Sequence, residues 1–173
     1  MMRSFLFGSL FAALAVPVTL EAQDTEWNRY TLEDLGGVFI RIEANDACSS
    51  VGATPAAYEA DVSLKLIESE VGVLTRDEML AHPAMPELRV SLDCAVGGSG
   101  SIAFAVALRV QQSAQMLRDT QITLPEAVTW FHTEVGGAPE DGAVDAIGST
   151  LMAGVEVFAA AWAAINAEEE GSR

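Results

Sequence analysis

Two alternating runs flank a glycine-rich break in the middle of the chain, and together they leave little choice of fold. In Leu88-Arg-Val-Ser-Leu-Asp-Cys-Ala-Val96 the residues Val90, Leu92, Cys94 and Val96 share one face. After Gly97-Gly98-Ser99-Gly100 the alternation resumes through Ile102, Phe104, Val106, Leu108 and Val110, with alanines opposite. A period of two is the signature of a half-buried strand, and the break reads as a hairpin turn. The second run stays alanine-rich as far as Leu117 and would suit a helix as well, but the turn before it favours a strand. An antiparallel pair of this kind must bury its apolar face against something else in the chain.

Candidates for that cover lie on both sides. Val38, Ile40 and Ile42 alternate in a first strand, followed by a small, polar loop over residues 44–53. Thr54-Pro55 opens a helix, with proline in the first turn, that Gly72 stops. Ala57, Ala60, Leu64, Ile67 and Val71 recur along it at helical spacing. Thr75-Arg-Asp-Glu78 has the pattern of a capping box for one short helical turn ended by Pro83. The terminal helix is the clearest element: Ile147, Leu151, Val155, Phe158, Trp162 and Ile165 form one stripe, and Asp141 or Asp145 can cap its start. Residues 136–142 read as a loop. Residues 123–135 support two readings: Leu124, Val128, Phe131 and Val135 fit a helix, yet the residue types favour a strand.

The order of these segments resembles a family of small exported bacterial proteins of unknown function. The resemblance rests on Glu70-Val-Gly-Val73, on Ala127-Val-Thr-Trp130 followed by Val135-Gly136, and on the final Val155-Glu-Val-Phe-Ala-Ala-Ala-Trp-Ala-Ala-Ile-Asn166. It covers residues 36–167, with Trp162 in place of the usual aromatic of the last helix. It implies a strand over 127–135 and brings no reaction with it. The expected fold is therefore α+β: a mostly antiparallel sheet of about four strands with two helices packed on one face, in the order β-α-β-β-β-α.

Residues 1–22 have the form of a secretory signal peptide: Met-Met-Arg, an apolar run from Ser4 to Leu20, then a small residue before a polar one. Cleavage is expected after Ala22, with Ala15 as the alternative site, and Pro17 interrupts a run already short for a bilayer core of roughly 30 Å. Residues 23–35 form an N-terminal extension, 36–167 a single domain and 168–173 an acidic tail that opposes the helix dipole and should fray. The chain is expected in the periplasm or secreted, or anchored to the inner membrane facing the periplasm if the leader is kept. Two cysteines, Cys48 and Cys94, lie in the exported part, and an even count in an oxidising compartment predicts a disulfide between them.

The net charge is −16 with only nine Lys and Arg. Nucleic acid is excluded as a partner class, because phosphate binding needs basic residues to release counterions, and direct binding to anionic lipid is disfavoured on the same ground. No segment reaches the spacing of a metal, cofactor or catalytic motif, so catalytic, cofactor and metal residues are all read as none. His82 and His132 stand outside zinc-type spacings. Ser99 lacks the final glycine of a nucleophile elbow. Asp141-Gly-Ala-Val-Asp145 lacks the alternate oxygen ligands of a calcium loop. The acidic pairs Glu33-Asp34, Asp77-Glu78 and Glu140-Asp141 sit in loops or at helix starts, and Trp130, Phe158 and Trp162 read as core.

The leading expectation is a non-catalytic exported domain that binds a protein partner in the cell envelope or supports an envelope assembly. The alternatives are a membrane-anchored accessory subunit, and a small periplasmic hydrolase using His132, a nearby acid and Ser99.

Overall fold

The computed structural model describes residues 25–166, so the leader and the acidic tail lie outside the described residues. The elements follow as α1 (Glu26–Arg29), a 3-10 turn (Tyr30–Leu32), β1 (Phe39–Ala44), α2 (Asp46–Ser50), α3 (Pro55–Glu68), α4 (Arg76–Ala81), β2 (Glu87–Val96), β3 (Ser101–Gln115), β4 (Thr123–Pro139), a second 3-10 turn (Glu140–Gly142) and α5 (Ala143–Asn166). The four strands form one sheet in sequence order. β2 with β3 and β3 with β4 are antiparallel, as the short links between them require. β1 with β2 is parallel, because the chain returns through helices before pairing. The protein is thus α+β with a four-stranded, mixed sheet.

Period-two alternation decides which side of the sheet is buried. Ile40, Leu88, Val90, Leu92, Cys94, Ile102, Phe104, Val106, Leu108, Val110 and Trp130 all lie in the core. α5 covers β3 and β4 on that side, α3 covers β1, and the two helices pack against each other. Ile147, Leu151, Val155, Phe158 and Trp162 of α5 are buried and Ile165 is half-buried, so the terminal stripe was legible residue by residue.

The expected face of α3 needs a correction. Tyr58, Val62 and Leu66 are the buried stripe, whereas Leu64 and Ile67 are exposed at 56% and 60%. Both stripes are apolar, so spacing alone could not choose; the Tyr58 hydroxyl, donating to the Val144 carbonyl at 3.0 Å, fixes the rotation. Val96 is also exposed, at 59%. The last β1 pair is Ala44 with Leu92, so beyond that row β2 has no strand partner on that side. The supposed loop at 136–142 is mostly strand: Gly136 pairs with Phe104, and a Cβ there would strike the Phe104 ring. That glycine serves packing, not a turn.

Two backbones also cross closely before β1. Val38 pairs with Val73, and its N–H donates to the Gly72 carbonyl at 2.8 Å. A Cβ on Gly72 would fall on the Gly36 carbonyl oxygen, and one on Gly37 on that of Gly72. Both glycines are needed for this approach, and Gly37 has a positive φ of 158° besides.

Candidate binding face

Cys48 and Cys94 are joined, with Cα atoms 5.0 Å apart. Cys48 lies on α2, inside the segment read as loop, and Asn45 caps that helix by accepting from the Cys48 N–H at 2.9 Å. The same Asn45 side chain donates to the Cys94 carbonyl at 3.0 Å and accepts from the Cys94 N–H at 3.2 Å. The bridge is in keeping with a protein that folds in an oxidising compartment.

The histidines part company. His82 ends α4, and its Nδ1 accepts from the Ala84 N–H at 3.1 Å, a satisfied turn. His132 sits on β4 beside Trp130 and near Gly154 of α5, with its Nε2 2.9 Å from Glu134 Oε1. That carboxylate, two residues along the same strand, is a partner the sequence reading missed. Ser99 does not join them. Ser101 pairs with Pro139 while His132 pairs with Leu108, which sets the hairpin tip about 23 Å away along the strand at ~3.3 Å per residue. The Ser99 hydroxyl meets only that of Ser101, at 3.1 Å.

The acidic pairs are equally dispersed. Glu33 and Asp34 are exposed, and Asn166 of α5 accepts from the Asp34 N–H. Asp77 and Glu78 occupy the first turn of α4, where the Thr75–Glu78 capping box is formed. Bonds from the Thr75 N–H and hydroxyl hold the Glu78 carboxyl below its ordinary value. Glu140 and Asp141 lie in the 3-10 turn. Trp130, Phe158 and Trp162 pack at steep ring angles in the core, with neighbouring centroids 5.2 and 6.0 Å apart. Among the described residues no group of three or more His, Cys, Asp or Glu side chains could hold a metal ion. The one described segment long and apolar enough to cross a membrane, Glu140–Asn166, contains α5, whose stripe packs on the sheet.

A groove of about 550 Å³ runs between α3 and α5, bordered by Tyr58, Asp61, Asp145, Ser149 and Met152. Burial, and then the charge of Asp145, push the Tyr58 hydroxyl pKa up. Among the described residues that line the groove none is a histidine that could activate Ser149.

The larger opportunity is the other side of the sheet. Its positions alternate with the core ones and are exposed or half-exposed with the exception of Glu87 and Ala107. Arg41, Arg89, Arg109 and Phe131 stand in one row across all four strands. Like charges directly opposite on neighbouring strands are destabilising, and diagonal carboxylates offset them here. Arg41 Nε donates to Glu87 at 3.1 Å, while Arg89 makes a two-pronged contact with Glu43 at 2.9 and 3.0 Å. That bond to Glu43, foremost among its neighbours, raises the Arg89 pKa further. Arg109 bonds the Ser91 hydroxyl at 3.3 Å. Towards the hairpin the face turns small and apolar, with Ala103, Ala105 and Val135, the last 80% exposed.

β4 is also an outer strand of the sheet. Its first half is broken by Pro125, Glu126 and register shifts beside Gln111 and Gln112, features that blunt an edge. Its second half, Trp130 to Ala138, pairs with β3 without interruption. No family model, curated protein or solved structure matches the chain.

Proposed function

We propose that this chain is a non-catalytic exported domain whose uncovered sheet face, with the regular half of the β4 edge, receives a protein partner in the cell envelope. The observation that carries the reading is the unequal layering: the long helices α3 and α5 lie on one face, α4 reaches the other only at the Arg41 and Glu87 end, and the rest of that face presents Phe131, Thr133 and Val135 beside an unbroken outer strand. An open edge offers main-chain hydrogen bonds, and the alternate side chains beside it supply specificity. The dispersal of His132 and Ser99 supports a binding role over hydrolysis, since a nucleophile and its base must lie within hydrogen-bond reach. A charge of −16 suits a partner that is neutral or basic where it docks.

The test is a photo-crosslinking residue placed singly at Thr133 or Val135, and at Leu64 or Glu68 on the exposed side of α3, in cells expressing the full chain. Discrete adducts from the sheet positions and none from α3 are expected. Adducts from α3 alone, or from neither, overturn the reading.

A further inference from the structure

At the α4 end of the open face a small cavity of about 190 Å³ gathers residues from all four strands, among them Arg41 of β1, Glu87 of β2, Gln111 of β3 and Glu126 of β4. α4 adds Arg76 and Met79. The register shift between Val110 and Gln111 lies at the very residue whose side chain lines the cavity, and such bulges re-aim side chains. Among the described residues Gln111 Oε1 is the one buried side-chain polar atom without a hydrogen-bond partner. An unmet buried acceptor costs about 1–3 kcal/mol and calls for an explanation.

The lining has a distinctive balance. Arg41 and Glu87 already pair through Nε at 3.1 Å, which leaves the Arg41 terminal nitrogens and Arg76 to receive an anion and Glu126 and the orphaned amide oxygen to receive a donor, and the formal charges of the four ionised groups cancel. Met79 and Met85 supply an adaptable apolar wall. The space corresponds to about six waters at ~30 Å³ each, below the ~300 Å³ at which drug-sized sites begin. We infer that this cavity is a binding site for a small zwitterion of the α-amino-acid type with an apolar side chain. The carboxylate faces Arg41 and Arg76, and the ammonium donates to Gln111 Oε1 and to the flanking Glu126. This is a separate activity from partner docking, and either one stands if the other fails.

The probe is free L-methionine, titrated into the oxidised mature protein by amide NMR, beside N-acetyl-methionine, which lacks the ammonium, and methionine methyl ester, which lacks the carboxylate. Saturable shifts at Arg41, Arg76 and Gln111 are expected with methionine, at least tenfold weaker with either analogue. Gln111→Leu and the exposed Arg76→Gln should each weaken methionine binding about tenfold. If Gln111→Leu leaves binding unchanged, if both analogues bind like methionine, or if no binding tighter than about 10 mM appears, the cavity holds water alone and the inference fails.

Discussion

Asn45 carries the pairing of β1 with β2 past Ala44: its backbone N–H donates to the Leu92 carbonyl at 3.0 Å, and its side-chain amide bonds both the N–H and the carbonyl of Cys94. Because Asn45 also caps the helix carrying Cys48, one side chain sets the positions of both ends of the disulfide. Asn45→Ala should therefore cost about 2–4 kcal/mol, from a lost cap of about 1 and an unmet backbone pair of about 1–3. Asn45→Asp, which keeps both accepted bonds, should lose less. Denaturant unfolding of the oxidised proteins gives both values.

The disulfide spans a sequence separation of 46. On the chain-entropy account, closing such a loop stabilises by about 4 kcal/mol. The double variant Cys48→Ala, Cys94→Ala should fall short of wild type by about that amount in urea, and dithiothreitol should then have no further effect on it. An equal midpoint for variant and wild type would show that the bridge adds no stability.

The contrast between the two sheet faces predicts unequal costs for two phenylalanines. Phe158 is fully buried between Trp130 and Trp162, so Phe158→Ala should cost about 3–5 kcal/mol. Against a total of about 5–15 kcal/mol that approaches unfolding. Phe131, half-exposed on the open face, should cost about 1 kcal/mol as alanine, since only part of its area is removed from water. Melting curves that lose equal amounts would contradict this unequal layering.

Much of this fold was legible in the sequence, and the reasons are particular. Strands β2 and β3 and the α5 stripe announced themselves because one face of each carries large apolar side chains and the other mostly small or polar ones. Helix α3 misled because Leu64 and Ile67 are as apolar as Val62 and Leu66, and rotation was set by a bond to Val144, far along the chain. The parallel pairing of β1 with β2 leaves no local trace at all. The candidate sites were hidden for a related reason: Arg41, Arg76, Glu87, Gln111 and Glu126 meet only through strand register and a bulge, and none belongs to a contiguous motif. His132 and Glu134, by contrast, were adjacent on one strand face and readable from period-two spacing.

Acid should find the capping box. The Glu78 carboxyl is held below its ordinary value of 4.5 by Thr75, so its contribution is present in full above about pH 4.5 and is lost as pH falls through the lowered folded value. Thr75→Ala should accordingly melt below wild type at pH 7, and the gap should narrow towards pH 3. A gap that is constant with pH would mean that Glu78 is not the titrating partner.

Because β2, β3 and the regular half of β4 place core and outward residues alternately, the two sets are interleaved in the sequence yet separated in space. Substitution at Asp93, Ala105, Thr133 or Val135 changes what the outer surface offers while Leu92, Phe104, Leu108 and Trp130 continue to hold the sheet to α5. Drift at every second position can thus remake the outer surface without passing through an unfolded intermediate sequence.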